Sequence, residues 1–188
     1  MNKTKRKIFE TSMKLFAEKG YDATSIEEIT SIVGVAKGTL YYHFSSKEEI
    51  FHFLIDEGMK LLQNSIAIKT AQKNNSIDKL KSIVLIQLKV LYKYEDFMTI
   101  IFSQLWGNEP RNIECKQYTV QYLKIIEEIV QDGIKKGEII DADPETIASE
   151  IFSTTCISLI YKIKKNSKIN INDLYKELEN ILFNGLSK

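Results

Sequence analysis

The sequence predicts an all-α fold of nine helices, three short ones in front and six mostly longer ones behind. Three observations carry this. Apolar residues recur at helical spacing along most of the 188 residues, and no alternating strand pattern competes with them. Only eight glycines and two prolines occur, and they punctuate the helical segments: Gly20, Gly107 and Gly137 suit C-terminal caps, Pro110 and Pro144 suit first turns. Capping residues with acidic neighbours precede the apolar runs.

Residues 3–19 read as a helix with Ile8, Ser12, Leu15 and Phe16 inward, stopped at Gly20. In YDATSIEEI, Ser25 with Glu28 forms a capping box, and Thr24 with Glu27 offers a second register. A short helix over about 26–33 places Ile26, Ile29 and Val33 on one side; Gly34 breaks it, and another short helix covers about 36–44. Ser46 is the expected N-cap of a long helix to about residue 70, with Glu48 and Glu49 in its first turn. Later helices are expected over about 76–93, 95–106, 110–136, 144–166 and 172–186, with Asn75 or Ser76, Asp143 and Asn172 as caps.

Composition narrows the class. The chain is 44% hydrophobic and 27% charged, the balance of a globular protein. It has no signal-peptide pattern and no apolar run near the roughly 20 residues needed to span a bilayer, so a soluble cytoplasmic protein is expected. Cys115 and Cys156 lie far apart inside predicted helices; buried small hydrophobes are the first expectation, a thiol sensor the second. Net charge is +1 overall, but residues 1–47 hold eight Lys/Arg against five Asp/Glu. A basic head suits a polyanionic partner.

Catalysis is not expected. Glu49 and His52 form ExxH, as in di-iron bundles, but those need a second copy and more carboxylates. No CxxC, HExxH, P-loop or nucleophile elbow occurs, and two histidines leave little for acid–base work. No metal or cofactor is implied.

Two short helices joined by a glycine turn have the proportions of a helix-turn-helix, whose second helix reads the major groove with its N-terminal residues. On a helical wheel Leu40, Phe44 and Ala36 face inward, Gly38 and Tyr42 point away, and Tyr41 and Thr39 flank them. An exposed helical glycine costs roughly 1 kcal/mol against alanine, which close approach to nucleic acid would explain. Lys37 opposes the helix dipole but suits phosphates or guanine edges in front of it. Tyr41, Tyr42, His43 and Lys47 can donate to phosphate oxygens, and the helix start at Thr24 and Ser25 could hold another.

These residues, LFAEKGYDATSIEEI followed by VGVAKGTLYYHFSSKEEI, resemble the DNA-binding domain of the TetR family of bacterial transcriptional repressors, from Ile8 to Ile50. The resemblance implies base or phosphate contacts from Lys37, Gly38, Thr39, Tyr41 and Tyr42, and phosphate contacts from Thr24, His43 and Lys47. Two positions depart from the family pattern. Ala36 stands where serine or threonine is usual, and Thr30 where alanine is common. The implied organisation is a helix-turn-helix domain over 1–46 and a ligand-binding and dimerisation domain over 47–188. GIKKGEIIDADPETIA resembles the family's usual junction between its seventh and eighth helices.

In the rear part, Gln87 lies on the stripe of Leu80, Val84 and Leu91, and Gln104 extends the line of Phe97 and Ile101. A polar group on a core stripe needs a partner, which either a ligand or a structural hydrogen bond supplies. With the aromatic residues around them, Gln87, Phe102, Gln104, Trp106, Tyr118, Tyr122 and Phe152 are the expected lining of a pocket for a small apolar or aromatic effector, core packing being the alternative. Ile151, Thr155 and Leu159 on one late helix, with Leu174, Leu178, Ile181 and Leu182 on the next, form apolar faces for packing either within one chain or across a two-fold axis. The resemblance favours the second. It implies a homodimer on a palindromic double-stranded operator, released by the effector, with no membrane partner.

Overall fold

The computed structural model describes residues 1–165 and 168–185, and the described residues hold nine helices and no strand. These are α1 (Lys3–Lys19), α2 (Ile26–Val33), α3 (Lys37–His43), α4 (Lys47–Thr70), α5 (Ser76–Lys93), α6 (Glu95–Gln104), α7 (Pro110–Lys135), α8 (Pro144–Lys164) and α9 (Ile171–Asn184). The expected helix ends at 166 and 186 fall outside the described residues.

The caps explain the boundaries. Ser25 accepts from the Glu28 N–H at 3.1 Å, Ser46 from Glu49 at 3.1 Å, Asn75 from Asp78 at 2.7 Å and Asp143 from Thr146 at 2.9 Å. Each satisfies an orphan donor of a first turn. The cap of α9 is Asn170, not Asn172: its side chain accepts from the Asn172 and Asp173 N–H groups, two residues earlier than expected. Asn172 itself lies inside the first turn.

By internal packing the chain forms two compact units, residues 1–60 with 94–118, and residues 61–93 with 119–188. In the first, α1, α2 and α3 pack on one another and α6 packs on α1. The four α1 residues expected inward, Ile8, Ser12, Leu15 and Phe16, are all buried. Ser12 is tolerated because its hydroxyl donates to the Ile8 carbonyl at 2.8 Å. Phe16, Tyr21 and Phe51 form an aromatic cluster with ring centres 5.2–6.1 Å apart.

In the second unit α5 lies against α8 and α9. Leu80, Ile83, Val84 and Leu88 of α5 meet a core that includes Ile151 and Leu159 of α8 and Leu174 and Leu178 of α9. None of the described helices is long and apolar enough to cross a membrane.

Candidate nucleic-acid interface

The helix-turn-helix is built by α2, a turn at Gly34 and α3. Gly34 adopts φ +76°, the left-handed conformation that suits glycine, and its N–H and that of Val35 both bond to the Thr30 carbonyl, at 2.9 and 3.1 Å. Thr30 is buried, and its hydroxyl donates to the Ile26 and Glu27 carbonyls, so the departure from alanine is satisfied internally. α3 is anchored by Leu40 and Phe44, 0% and 1% exposed. Ala36, expected inward, is exposed, because it stands at the cap position outside the helix proper, and no side chain caps the start of α3.

Anchoring Leu40 turns the opposite side outward. Tyr42 is 84% exposed and Tyr41 50%. Lys37 and Gly38 are exposed, while Thr39 and His43 are partly so. A Cβ on Gly38 would meet nothing within 4 Å, so packing does not require glycine there. Ser25 is exposed at the start of α2.

Two expected residues turn inward. Thr24 is buried, its hydroxyl donating to the Gly20 carbonyl at 2.8 Å. Lys47 places its ammonium on the Tyr21 and Thr24 carbonyls, both at 2.9 Å, and 4.2 Å from the centre of the Tyr21 ring. It closes the α1–α2 turn with charge-assisted bonds.

Other groups of this region were invisible to sequence reasoning. Lys37 forms an ion pair with Glu27; the ammonium holds that carboxyl below its ordinary range, and the carboxylate raises the lysine in return. Arg111, at the start of α7, pairs with Asp22 at 2.6 Å and stacks 4.8 Å from the centre of the Tyr21 ring. Glu49 accepts from the Ser45 backbone and hydroxyl, and His52 pairs with Glu114. A separation of 89 residues gives no periodic signal by which Asp22 and Arg111 could be matched.

The sequence profile of bacterial regulatory proteins of the tetR family matches residues 8–53, from Ile8 of α1 through α2 and α3 into α4. A solved Clostridium perfringens protein, provisionally named a fatty acid metabolism regulator, is 32% identical; the match covers 97% of this chain and 99% of that one, with a TM-score of 0.91. The chain belongs to the TetR family. The Staphylococcus aureus negative transcriptional regulator of the icaADBC biofilm operon, IcaR, is 40% identical over 114 residues, 61% of this chain. In the curated relatives it matches, the alignment takes in 41% to 59% of their length. Bacillus subtilis FadR, a transcriptional regulator solved with stearoyl-CoA, shares the fold at a TM-score of 0.81 and 22% identity, over 97% of this chain and 99% of that one. These TetR-family relatives are regulators, not enzymes.

The seven residues expected at an effector pocket divide between the two units. In the second, Gln87 is fully buried; it donates to Cys156 Sγ at 2.9 Å and to the Phe152 carbonyl at 3.2 Å, and accepts from the Tyr122 hydroxyl at 2.8 Å. The partner of this core amide is structural. In the first unit Gln104 accepts from Arg111 at 3.1 Å and Asn112 at 3.0 Å, the Tyr118 hydroxyl donates to Asp56 at 3.1 Å, Phe102 is half-buried, and Trp106 is 82% exposed. A cavity of about 330 Å³ in the first unit and one of about 530 Å³ in the second are lined by none of the seven. The larger is walled mainly by isoleucines and leucines of α5, α8, α9 and the α7–α8 connection.

The knot around Gln87 makes a stability prediction. Gln87→Leu leaves the buried Tyr122 hydroxyl without its acceptor, and Tyr122→Phe leaves the amide oxygen of Gln87 unpaired. Each is expected to cost about 2 kcal/mol, while the double variant costs less than the sum by about 1–2 kcal/mol, since both polar partners are gone. Urea unfolding of the four proteins checks this; strict additivity would show that the bond contributes nothing.

Of the seven residues expected at a subunit interface, Ile151, Thr155, Leu159, Leu174 and Leu178 are at most 4% exposed within the single chain. They are the faces that α8 and α9 pack into the core of the second unit, and Thr155 is satisfied by the Ile151 carbonyl at 2.7 Å. Leu182 is half-buried and Ile181 is exposed. The outward apolar side chains of α8 are instead Ile157 and Tyr161, one turn apart.

Proposed function

We propose that the chain is an effector-responsive, DNA-binding transcriptional regulator that works in the cytoplasm as a homodimer on a palindromic operator, probed by α3. The observation that supports this reading is the outward side of α3: Lys37, Gly38, Tyr41 and Tyr42 exposed together on a helix whose other side is locked by Leu40 and Phe44. Phosphate donors beside a position without a side chain suit close approach to the major groove. Residues 1–46 carry the DNA contacts and 47–188 the effector and dimer functions. Lys47 and Thr24 serve here by holding the α1–α2 turn that positions α2, with Ser25 at its start, rather than by reaching phosphate themselves.

The dimer face in this reading is the outward side of α8 with Ile157 and Tyr161, and of α9 with Ile181. Repression is taken from IcaR, a negative regulator. The effector is apolar, and an acyl-bearing molecule is the first class to test, given the name of the Clostridium perfringens relative and the stearoyl-CoA bound by FadR. Effector binding shifts the population of DNA-competent dimers; a coupling of roughly 1–3 kcal/mol gives a 5- to 150-fold change in affinity.

Selecting bound duplexes from a random pool tests the reading, and a palindromic consensus is the expected result. Gly38→Ala then separates reading from folding. With open space around the Cβ, alanine should stabilise α3 by roughly 0.5–1 kcal/mol yet weaken consensus binding about tenfold or more. A variant that is both more stable and equally tight would remove Gly38 from the interface.

A further inference from the structure

Lys37 sits in the first turn of α3 but does not point its charge unopposed toward solvent. Its ammonium is paired with Glu27, from the first turn of α2. The neighbouring Glu28 pairs with Lys19 in the same way. All five carboxylates of residues 1–47 are in ion pairs: Glu10 with Arg6, Glu18 with Lys14, Asp22 with Arg111, and the two glutamates of α2. The Arg6 and Lys14 pairs are one-turn contacts along α1. The Glu27 pair spans from α2 to the helix that carries Tyr41 and Tyr42, and both its side chains are more than half exposed, 55% for Lys37 and 63% for Glu27.

An ion pair so exposed is weak and opens readily. Its effect on a polyanion is nevertheless specific in kind. A phosphate approaching α3 meets a lysine already neutralised and a carboxylate that repels it. Lys37 becomes a phosphate or guanine ligand only by leaving Glu27. A loosely docked duplex offers phosphates at varied distances and gains little from that exchange. A duplex seated with α3 in its major groove places an acceptor directly before Lys37 and draws it across.

We propose that Glu27 is a specificity-determining residue: by holding Lys37 it suppresses binding to DNA of arbitrary sequence more than binding to the operator. The proposal rests on the DNA-binding reading above and assigns the acidic first turn of α2 a role in it.

The test compares wild type with Glu27→Gln, which keeps side-chain size and polarity while removing the charge. Binding to a random-sequence duplex and to the selected consensus is followed by fluorescence anisotropy over a salt series from about 50 to 200 mM, where counterion release is resolved. Glu27→Gln should bind the random duplex about three- to tenfold tighter at low salt, with a log–log salt slope steeper by about 0.9, one more phosphate contact. Consensus affinity should rise less, so that the ratio of the two falls.

Two controls separate the pair from bulk charge. Glu10→Gln removes an equal charge from α1 and should leave the salt slope where it was. In the double variant Glu27→Gln with Lys37→Gln, the gain should disappear. An unmoved slope in Glu27→Gln, or a gain that persists without Lys37, overturns the proposal while leaving the DNA reading intact. Failure of the wild type to bind either duplex at low salt overturns both.

Discussion

Raising the pH from about 8 to about 11 should remove a large part of the folding stability, and the buried thiols are the main cause. Cys156 and Cys115 are both fully buried, and burial pushes each thiol from 9.0 to about 12. For Cys156 the Gln87 amide pulls slightly the other way, and for Cys115 the Glu114 charge adds to the rise. A raised native value means that the folded state keeps a proton the unfolded chain releases. The contribution is fully present below pH 9 and is lost as pH climbs toward 12. At pH 11 it amounts to about 2–3 kcal/mol for each thiol, against about 5–15 kcal/mol for a typical protein. Tyr122, raised by its burial, and Tyr118, pushed to about 12 chiefly by desolvation, add to the loss above pH 10. Urea unfolding at pH 8, 9, 10 and 11 reads the slope, and Cys156→Ala should flatten it between pH 9 and 11. An equal slope in that variant would shift the cause to Cys115 and the tyrosines. The same burial makes both thiols poor nucleophiles at neutral pH, which favours the expectation of small core residues over a thiol sensor.

How much the sequence disclosed depended on whether the governing interaction was local. Caps and glycine stops act within four residues, so Ser25, Ser46 and Asp143 were legible and the helix boundaries followed. The α9 cap moved from Asn172 to Asn170 because two asparagines compete two residues apart, and only the turn geometry selects between them. Helical periodicity reported burial correctly for Gln87 and Gln104 but could not name their partners: Tyr122 lies 35 residues from Gln87, and Arg111 comes from the next helix after Gln104. The apolar faces of α8 and α9 were likewise visible, while the choice between the chain's own core and a second subunit depends on what packs opposite. On α3 the outward residues were legible because a seven-residue helix with two inward anchors has little rotational freedom. Lys47 was not, since its long stem reaches back to carbonyls more than 20 residues earlier in the chain.

Gly58 gave no signal in the sequence, yet it should be among the least replaceable residues of the first unit. It lies in the middle of α4, where alanine would ordinarily stabilise the helix by about 1 kcal/mol. Here a Cβ would fall 2.3 Å from Phe97 Cε2, 2.5 Å from Cζ and 2.8 Å from Cδ2. That ring is 5% exposed and belongs to α6, which also packs on α1, so it has little room to yield. Overpacking of this kind costs about 1–3 kcal/mol for small additions, enough to cancel the helical gain and reverse it. Gly58→Ala should therefore destabilise by about 1 kcal/mol, and Gly58→Leu, which adds three more carbons against the ring, by about 3 kcal/mol or more. For a chain of this length the larger loss lowers Tm by about 6–12 °C. Phe97→Leu in the Gly58→Ala background removes the ring edge and should recover part of the loss, a coupling that two independent sites would not show. Since α6 supports α1 of the reading head, Gly58→Leu should also weaken consensus DNA binding at temperatures well below its own unfolding. Gly58→Ala found more stable than wild type by the full helical gain would mean that Phe97 moves aside freely, and that α4 and α6 are not held at contact distance by this glycine.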